Sequence, residues 1–210
     1  MKKIDLSLVF ALAILFSGAA LLVAVYTHLS LALALGLLGT AALSCMGIIW
    51  VNIDPARKQL LKKQLLVGLI AGFAATLAYD TTRLLLVYLG HLQFSPFETF
   101  NVFGKLIVGT EAPRVVTQTV GTIYHVLNGI CFGIAYCIAF GGRNWKFGIV
   151  WAFILESFML TVYPGWLNLD AVMKEFVSVS LLGHVAYGTV LGLLAQKYLA
   201  HKIDVEKTVT

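Results

Sequence analysis

The chain has 210 residues, 60% hydrophobic and 12% charged, with a mean hydropathy of +0.90. So little charge cannot cover the surface of a water-soluble domain. The net charge of +5 is read as membrane topology, and no nucleic-acid partner is expected.

From Leu6 to Ile53 there is no Asp, Glu, Lys or Arg. About 20 apolar residues cross the hydrocarbon of a bilayer. Lipid offers the backbone no partners, so each span must pair its own amides as a helix. Barrel strands would alternate polar and apolar residues, and these runs do not. The expectation is an all-α, polytopic membrane protein with six transmembrane helices, in contact with the lipid bilayer. Cys45, Cys131 and Cys137 all lie in apolar runs and imply no disulfide.

Met1-Lys2-Lys3 and the apolar run behind it resemble a signal peptide, but the run continues to Tyr26, too far for one. It is read as an uncleaved first span, about Leu6–Tyr26. Span two covers about Leu31–Val51. Pro55 and the basic stretch Arg57, Lys58, Lys62, Lys63 mark a boundary. Span three covers about Gln64–Leu89 and carries Gly68, Gly72, Thr76, Asp80 and Arg83 near one helical face. Ser95-Pro96-Phe97-Glu98 reads as a capping box, followed by Phe97, Phe100, Phe103 and Leu106 at helical spacing. A short amphipathic helix lying in the interface between spans three and four is expected there.

Span four covers about Pro113–Phe140 and span five about Phe147–Tyr163. Tyr163-Pro164-Gly165-Trp166 reads as a turn with aromatic anchors. Span six covers about Phe176–Ala200. With the N-terminus inside, the inner side holds Lys2, Lys3, Arg57, Lys58, Lys62, Lys63, Arg143, Lys146, Lys197, Lys202 and Lys207. Only Lys105, Arg114 and Lys174 fall outside, so both termini are placed inside. The division is residues 1–56, an N-terminal hairpin; 57–200, a four-helix unit of two hairpins; and 201–210, a cytoplasmic tail.

Five ionisable residues fall at membrane depth: Asp80, Arg83, His125, Glu156 and His184. Such residues are functional candidates because burying them in lipid is costly. At 1.5 Å of rise per residue, the two acids and two histidines sit roughly 10–18 Å below the outer surface. Span four also echoes span six. His125-Val-Leu-Asn-Gly129 through Gly133 and His184-Val-Ala-Tyr-Gly188 through Gly192 both read H-V-x-x-G-x-x-x-G. Each histidine span follows a span with an acid, so Asp80 and His125 share one hairpin and Glu156 and His184 the other, as two parallel repeats that bring one ionisable residue from each helix to one polar site.

Two histidines and two carboxylates suit a divalent metal such as zinc, iron or manganese. In that reading His125, His184, Asp80 and Glu156 are ligands, and Tyr124, Asn128 and Tyr187 support them by hydrogen bonds. An enzyme on a lipid-soluble substrate would use Glu156 as general base and Arg83 to orient an anionic group. Haem held by the two histidines leaves both acids unexplained. The same residues also fit a proton relay in a small proton-linked transporter, although no Gly- or Pro-broken span is evident. Polar pairs that merely hold the bundle together are the third reading. A serine-hydrolase reading finds neither G-x-S-x-G nor a serine set beside a histidine. Glycine-rich helix faces allow a homo-oligomer.

G-L-I-A-G (Gly68–Gly72), F-x-x-x-Y (Phe132–Tyr136), a basic turn with Trp145, a span ending near Pro164 and G-H-V-x-Y (Gly183–Tyr187) occur in that order. Over about residues 64–195 this resembles the YagU-like bacterial inner-membrane proteins. The resemblance implies a bacterial inner (plasma) membrane, a link to acid resistance, and His125 and His184 as shared features. It implies no particular reaction.

Overall fold

The computed structural model describes residues 5–92, 95–167 and 173–200. The described residues form α1 (Leu6–Ile14), α2 (Phe16–Thr27), α3 (Leu31–Asn52), α4 (Pro55–Gly90), α5 (Glu98–Val108), α6 (Arg114–Phe140), α7 (Lys146–Leu167) and α8 (Met173–Leu199). The expected tail 201–210, with Lys202 and Lys207, lies outside the described residues, as do Lys2 and Lys3. Among the described residues, α3, α4, α6 and the 174–199 part of α8 are long and apolar enough to cross a membrane. The α1–α2 pair makes a fifth such element if its bend falls within one span. The protein is therefore all-α and membrane-embedded.

The boundaries have local causes. Ser30 caps α3 by accepting from the Leu33 amide at 3.2 Å. Asp54 caps α4 by accepting from the Arg57 amide at 2.9 Å, with Pro55 in the first turn. Proline suits that position because its missing N–H would have no helical partner there.

Three local expectations change. Span one is not straight: α1 and α2 meet at Leu15 with a bend of 52°. No proline causes it. The Tyr124 hydroxyl of α6 donates to the Ser17 carbonyl at 2.8 Å, and Gly18 lets the Phe132 ring lie against the α2 backbone. The capping box at Ser95–Glu98 does not form. Helix α5 starts at Glu98 without a side-chain cap, and the Glu98 carboxylate instead accepts from Arg114 at 2.7 Å and Asn101 at 2.8 Å. Those partners are charged or close enough to outcompete the backbone amide. Finally, 163–166 is not a turn, since α7 continues to Leu167. Proline there has no N–H for the Leu160 carbonyl, so the helix forfeits one backbone bond in its last two turns.

Helix α5 does not lie free on a surface. Gly104 faces Thr117 and Gly121 faces Phe100 with no space for a side-chain carbon, which locks α5 antiparallel along α6. Helices α4, α6, α7 and α8 form the rest of the core. α4 packs on α6 and on α8, and α8 packs on α7, but α6 and α7 barely touch. The bent α1–α2 segment partly covers that gap.

Candidate functional site: two acid–histidine pairs at an apolar cavity

The two repeated glycine motifs place the acids. In the α4–α6 hairpin, a Cβ on Gly133 would fall on Gly72, and one on Gly129 would fall on Thr76. The helices are antiparallel, so each step of four residues along α4 matches four back along α6. The next pair in the series is Asp80 with His125, and their side chains meet at 3.1 Å. The α7–α8 hairpin has the same register. Gly148 lies against Gly188 and Gly192. Eight residues along α7 and eight back from Gly192, Glu156 meets His184 at 2.8 Å. Eight residues span about 12 Å of helix, so each glycine contact sets the register of a polar pair two turns away.

The pairs differ in burial. The Asp80 and His125 side chains are 21% and 17% exposed, those of Glu156 and His184 only 2% and 11%. His184 Nδ1 faces both Glu156 Oε2 and the Ser180 carbonyl at 3.0 Å. Both neighbours are acceptors, so Nδ1 carries the proton and Nε2 is the nitrogen left for chemistry. His125 uses Nε2 toward Asp80 and leaves Nδ1. A histidine held on one side by a carboxylate is suited to give or take a proton on the other.

Tyr79 stands between the pairs. Its ring centroid lies 4.8 Å from that of His184 and 6.0 Å from that of His125. Its hydroxyl is 3.5 Å from Ser180 Oγ, which donates to Glu156 Oε2 at 3.0 Å. Arg83, 4% exposed, lies over the Tyr79 ring at 4.8 Å and donates to the Pro96 carbonyl at 2.9 Å. Its Nη1 is 3.9 Å from Asp80 Oδ1. Arg83 thus neutralises Asp80 and fixes the turn that enters α5.

Both histidines line a cavity of about 480 Å³ in the gap between α6 and α7. One wall carries Arg83, Tyr79, His125, Asn128, His184 and Tyr187. The facing wall is apolar, from Leu12, Leu15 and Leu22 of the bent segment and Ile154, Phe158 and Met159 of α7. Leu12 and Phe158 are 60% and 59% exposed, so the cavity reaches the outer surface between apolar residues. The break at Leu15 shapes this wall.

The sequence-expected residues are thus divided. Asp80, His125, Glu156, His184 and Arg83 come together as two pairs and a guanidinium. Among the described residues, no three His, Cys, Asp or Glu side chains gather around a point that a metal would occupy. Tyr124 is engaged with Ser17, and the Tyr187 hydroxyl donates to the Gly129 carbonyl at 2.8 Å. Both tie helices together. Asn128 lines the cavity, and its Oδ1 has no partner among the described residues. Sequence reasoning missed Tyr79 and Ser180. Ser180 precedes His184 by one helical turn, a spacing that signals a shared face.

A sequence model of the Family of unknown function (DUF6789) matches residues 62–205. The chain belongs to that family. The match takes in all four glycine-paired helices and both acid–histidine pairs, and leaves out α1 to α3. Comparison with curated proteins and with solved structures returns no match.

Proposed function

We propose that this membrane protein binds a lipid-soluble amphiphile in the α6–α7 cavity and exchanges a proton with it through His125 and His184. The observation that carries the reading is the two-sided cavity. Its apolar wall runs out to exposed Leu12 and Phe158, while His125, His184 and Arg83 also line it. A chain entering from the lipid keeps apolar contact, and its polar end meets the histidines. The volume lies within the roughly 300–1,000 Å³ usual for small-molecule sites. Asp80 and Glu156 orient the rings. The likeness to YagU-like proteins supports a bacterial inner membrane, and the distribution of Lys and Arg supports six spans with both termini inside.

The test is direct. Protein extracted in native nanodiscs is analysed by mass spectrometry for co-purifying small molecules. An amphiphile enriched over bulk lipid in wild type and lost from Ala19→Trp, which fills the cavity mouth, supports the reading. Equal lipid content in both proteins overturns it.

Proton-linked transport is the second reading. It is favoured by the break at Leu15, since interrupted spans occur at transporter sites. The Tyr79–Ser180–Glu156–His184 series also supplies consecutive proton-bearing groups. Proton flux in liposomes that disappears with Glu156→Gln would favour this reading.

A further inference from the structure

Resting on the amphiphile reading, we propose that the occupant is a long-chain carboxylic acid. It enters from the lipid protonated, passes its proton to His125, and is held as the carboxylate by Arg83.

The basic groups form one cluster. Arg83, His125 and His184 all line the cavity, and among the described residues no carboxylate lines it. The three gather on the Tyr79 ring. Its centroid lies 4.8 Å from Arg83 Cζ, 4.8 Å from the His184 ring and 6.0 Å from the His125 ring. Asp80 and Glu156 each face a histidine instead.

The guanidinium has an opening for an acceptor. Arg83 is 4% exposed and stays charged at any pH a protein meets. Its Nη2 donates to the Pro96 carbonyl. Asp80 Oδ1 is 3.9 Å from Nη1, beyond hydrogen-bond reach. Nε is buried and has no acceptor among the described residues. A buried charged donor left unpaired is costly, and an anionic oxygen is the partner that binds it most strongly.

Proton exchange then selects the acid. A full charge in hydrocarbon is costly, so an anionic head reaches this cavity from the lipid only in neutral form. A lipid phosphate stays ionised at neutral pH and cannot do so. Nε2 of His125 faces the Asp80 carboxylate and carries its proton, so Nδ1 holds the free electron pair. The acid's O–H bond breaks and an N–H bond forms at Nδ1. The electron pair stays on the carboxylate beside Arg83, and no net charge has entered the membrane. In water a carboxyl is a stronger acid than an imidazolium, and a phenol is a far weaker one. An alcohol or phenol therefore keeps its proton and offers Arg83 no charge. The chain runs out past Leu12 and Phe158.

The experiment measures thermal stabilisation of the full-length protein in detergent by dodecanoate, methyl dodecanoate, dodecanol and dodecyl phosphate, at equal mole fraction in the micelle. Dodecanoate should stabilise saturably, and far more strongly than the other three. Arg83→Gln should weaken dodecanoate roughly tenfold or more and leave dodecanol unchanged. The ester comparison uses the unaltered protein, so it decides the matter even if Arg83→Gln folds poorly. Infrared spectra of carboxyl-labelled dodecanoic acid should show bound carboxylate in wild type and protonated acid in His125→Ala. Equal stabilisation by the ester or the alcohol overturns the carboxylic-acid assignment and leaves the amphiphile reading intact. Preferred dodecyl phosphate overturns the weak-acid argument. Wild-type dodecanoate affinity in Arg83→Gln overturns the role of the guanidinium, and a protonated carboxyl in wild type overturns the transfer to His125. If no probe binds and nothing co-purifies from membranes, the underlying amphiphile reading falls as well.

Discussion

Gly72 and Gly133 touch with no room for a side-chain carbon, and two turns beyond that contact Asp80 faces His125 at 3.1 Å. A small-residue contact here sets the alignment of a polar pair it never meets. Gly72→Leu should push α4 from α6 and lower stability by about 1–3 kcal/mol, the usual cost of overpacking. It should also separate Asp80 from His125. Gly36→Ala is the control, because a Cβ there meets open space. Thermal unfolding in detergent checks both. Equal melting temperatures for the two variants would contradict the close contact.

The two acid–histidine pairs should differ in strength. Intramembrane polar pairs average about 0.6 kcal/mol and reach about 1.7 at most, because the unfolded state in lipid also finds partners. Glu156 and His184 are nearly buried, whereas the Asp80 and His125 side chains are 21% and 17% exposed. Double-mutant cycles should place Glu156–His184 near the upper figure and Asp80–His125 near the average. The reverse order would mean that burial does not control these pairs.

Arg83 should control α5. Its bond to the Pro96 carbonyl is the side-chain link between α4 and the turn before α5. Arg83→Gln should raise hydrogen exchange across 97–108 and leave the α7–α8 hairpin unchanged. Unaltered exchange in α5 would show that the Gly104 and Gly121 contacts with α6 suffice by themselves.

Metal removal should leave the protein unchanged. Each carboxylate already faces a histidine, and among the described residues no third ligand joins either pair. Metal analysis of purified protein should give well below one equivalent of zinc, iron or manganese. Chelator should not move the melting temperature. A stoichiometric metal lost in the His125→Ala, His184→Ala double variant would restore the four-ligand site.

That Asp80 shares a hairpin with His125 and Glu156 with His184 is legible in the sequence from the repeated H-V-x-x-G-x-x-x-G and the acid in the span before each, whereas the register that makes two separate pairs comes from the glycine contacts. The ends of α3 and α6 are legible for a similar reason: apolar runs and capping residues act over one or two turns. Tyr79 between the histidines is not legible, since its place depends on how α4 packs on α8. Neither is the bend at Leu15, which has no proline and follows from contacts with Tyr124 and Phe132 more than a hundred residues away.

By itself, the sequence determined a helical membrane protein with two acid–histidine hairpins. Backbone hydrogen bonds in lipid must close within each segment, so span formation is a local property. Only the tertiary structure decided that α6 and α7 stand apart, that α1 and α2 bend beside the gap, and that both histidines line one cavity. A cavity is defined by the helices that fail to touch, and no stretch of sequence holds that information alone.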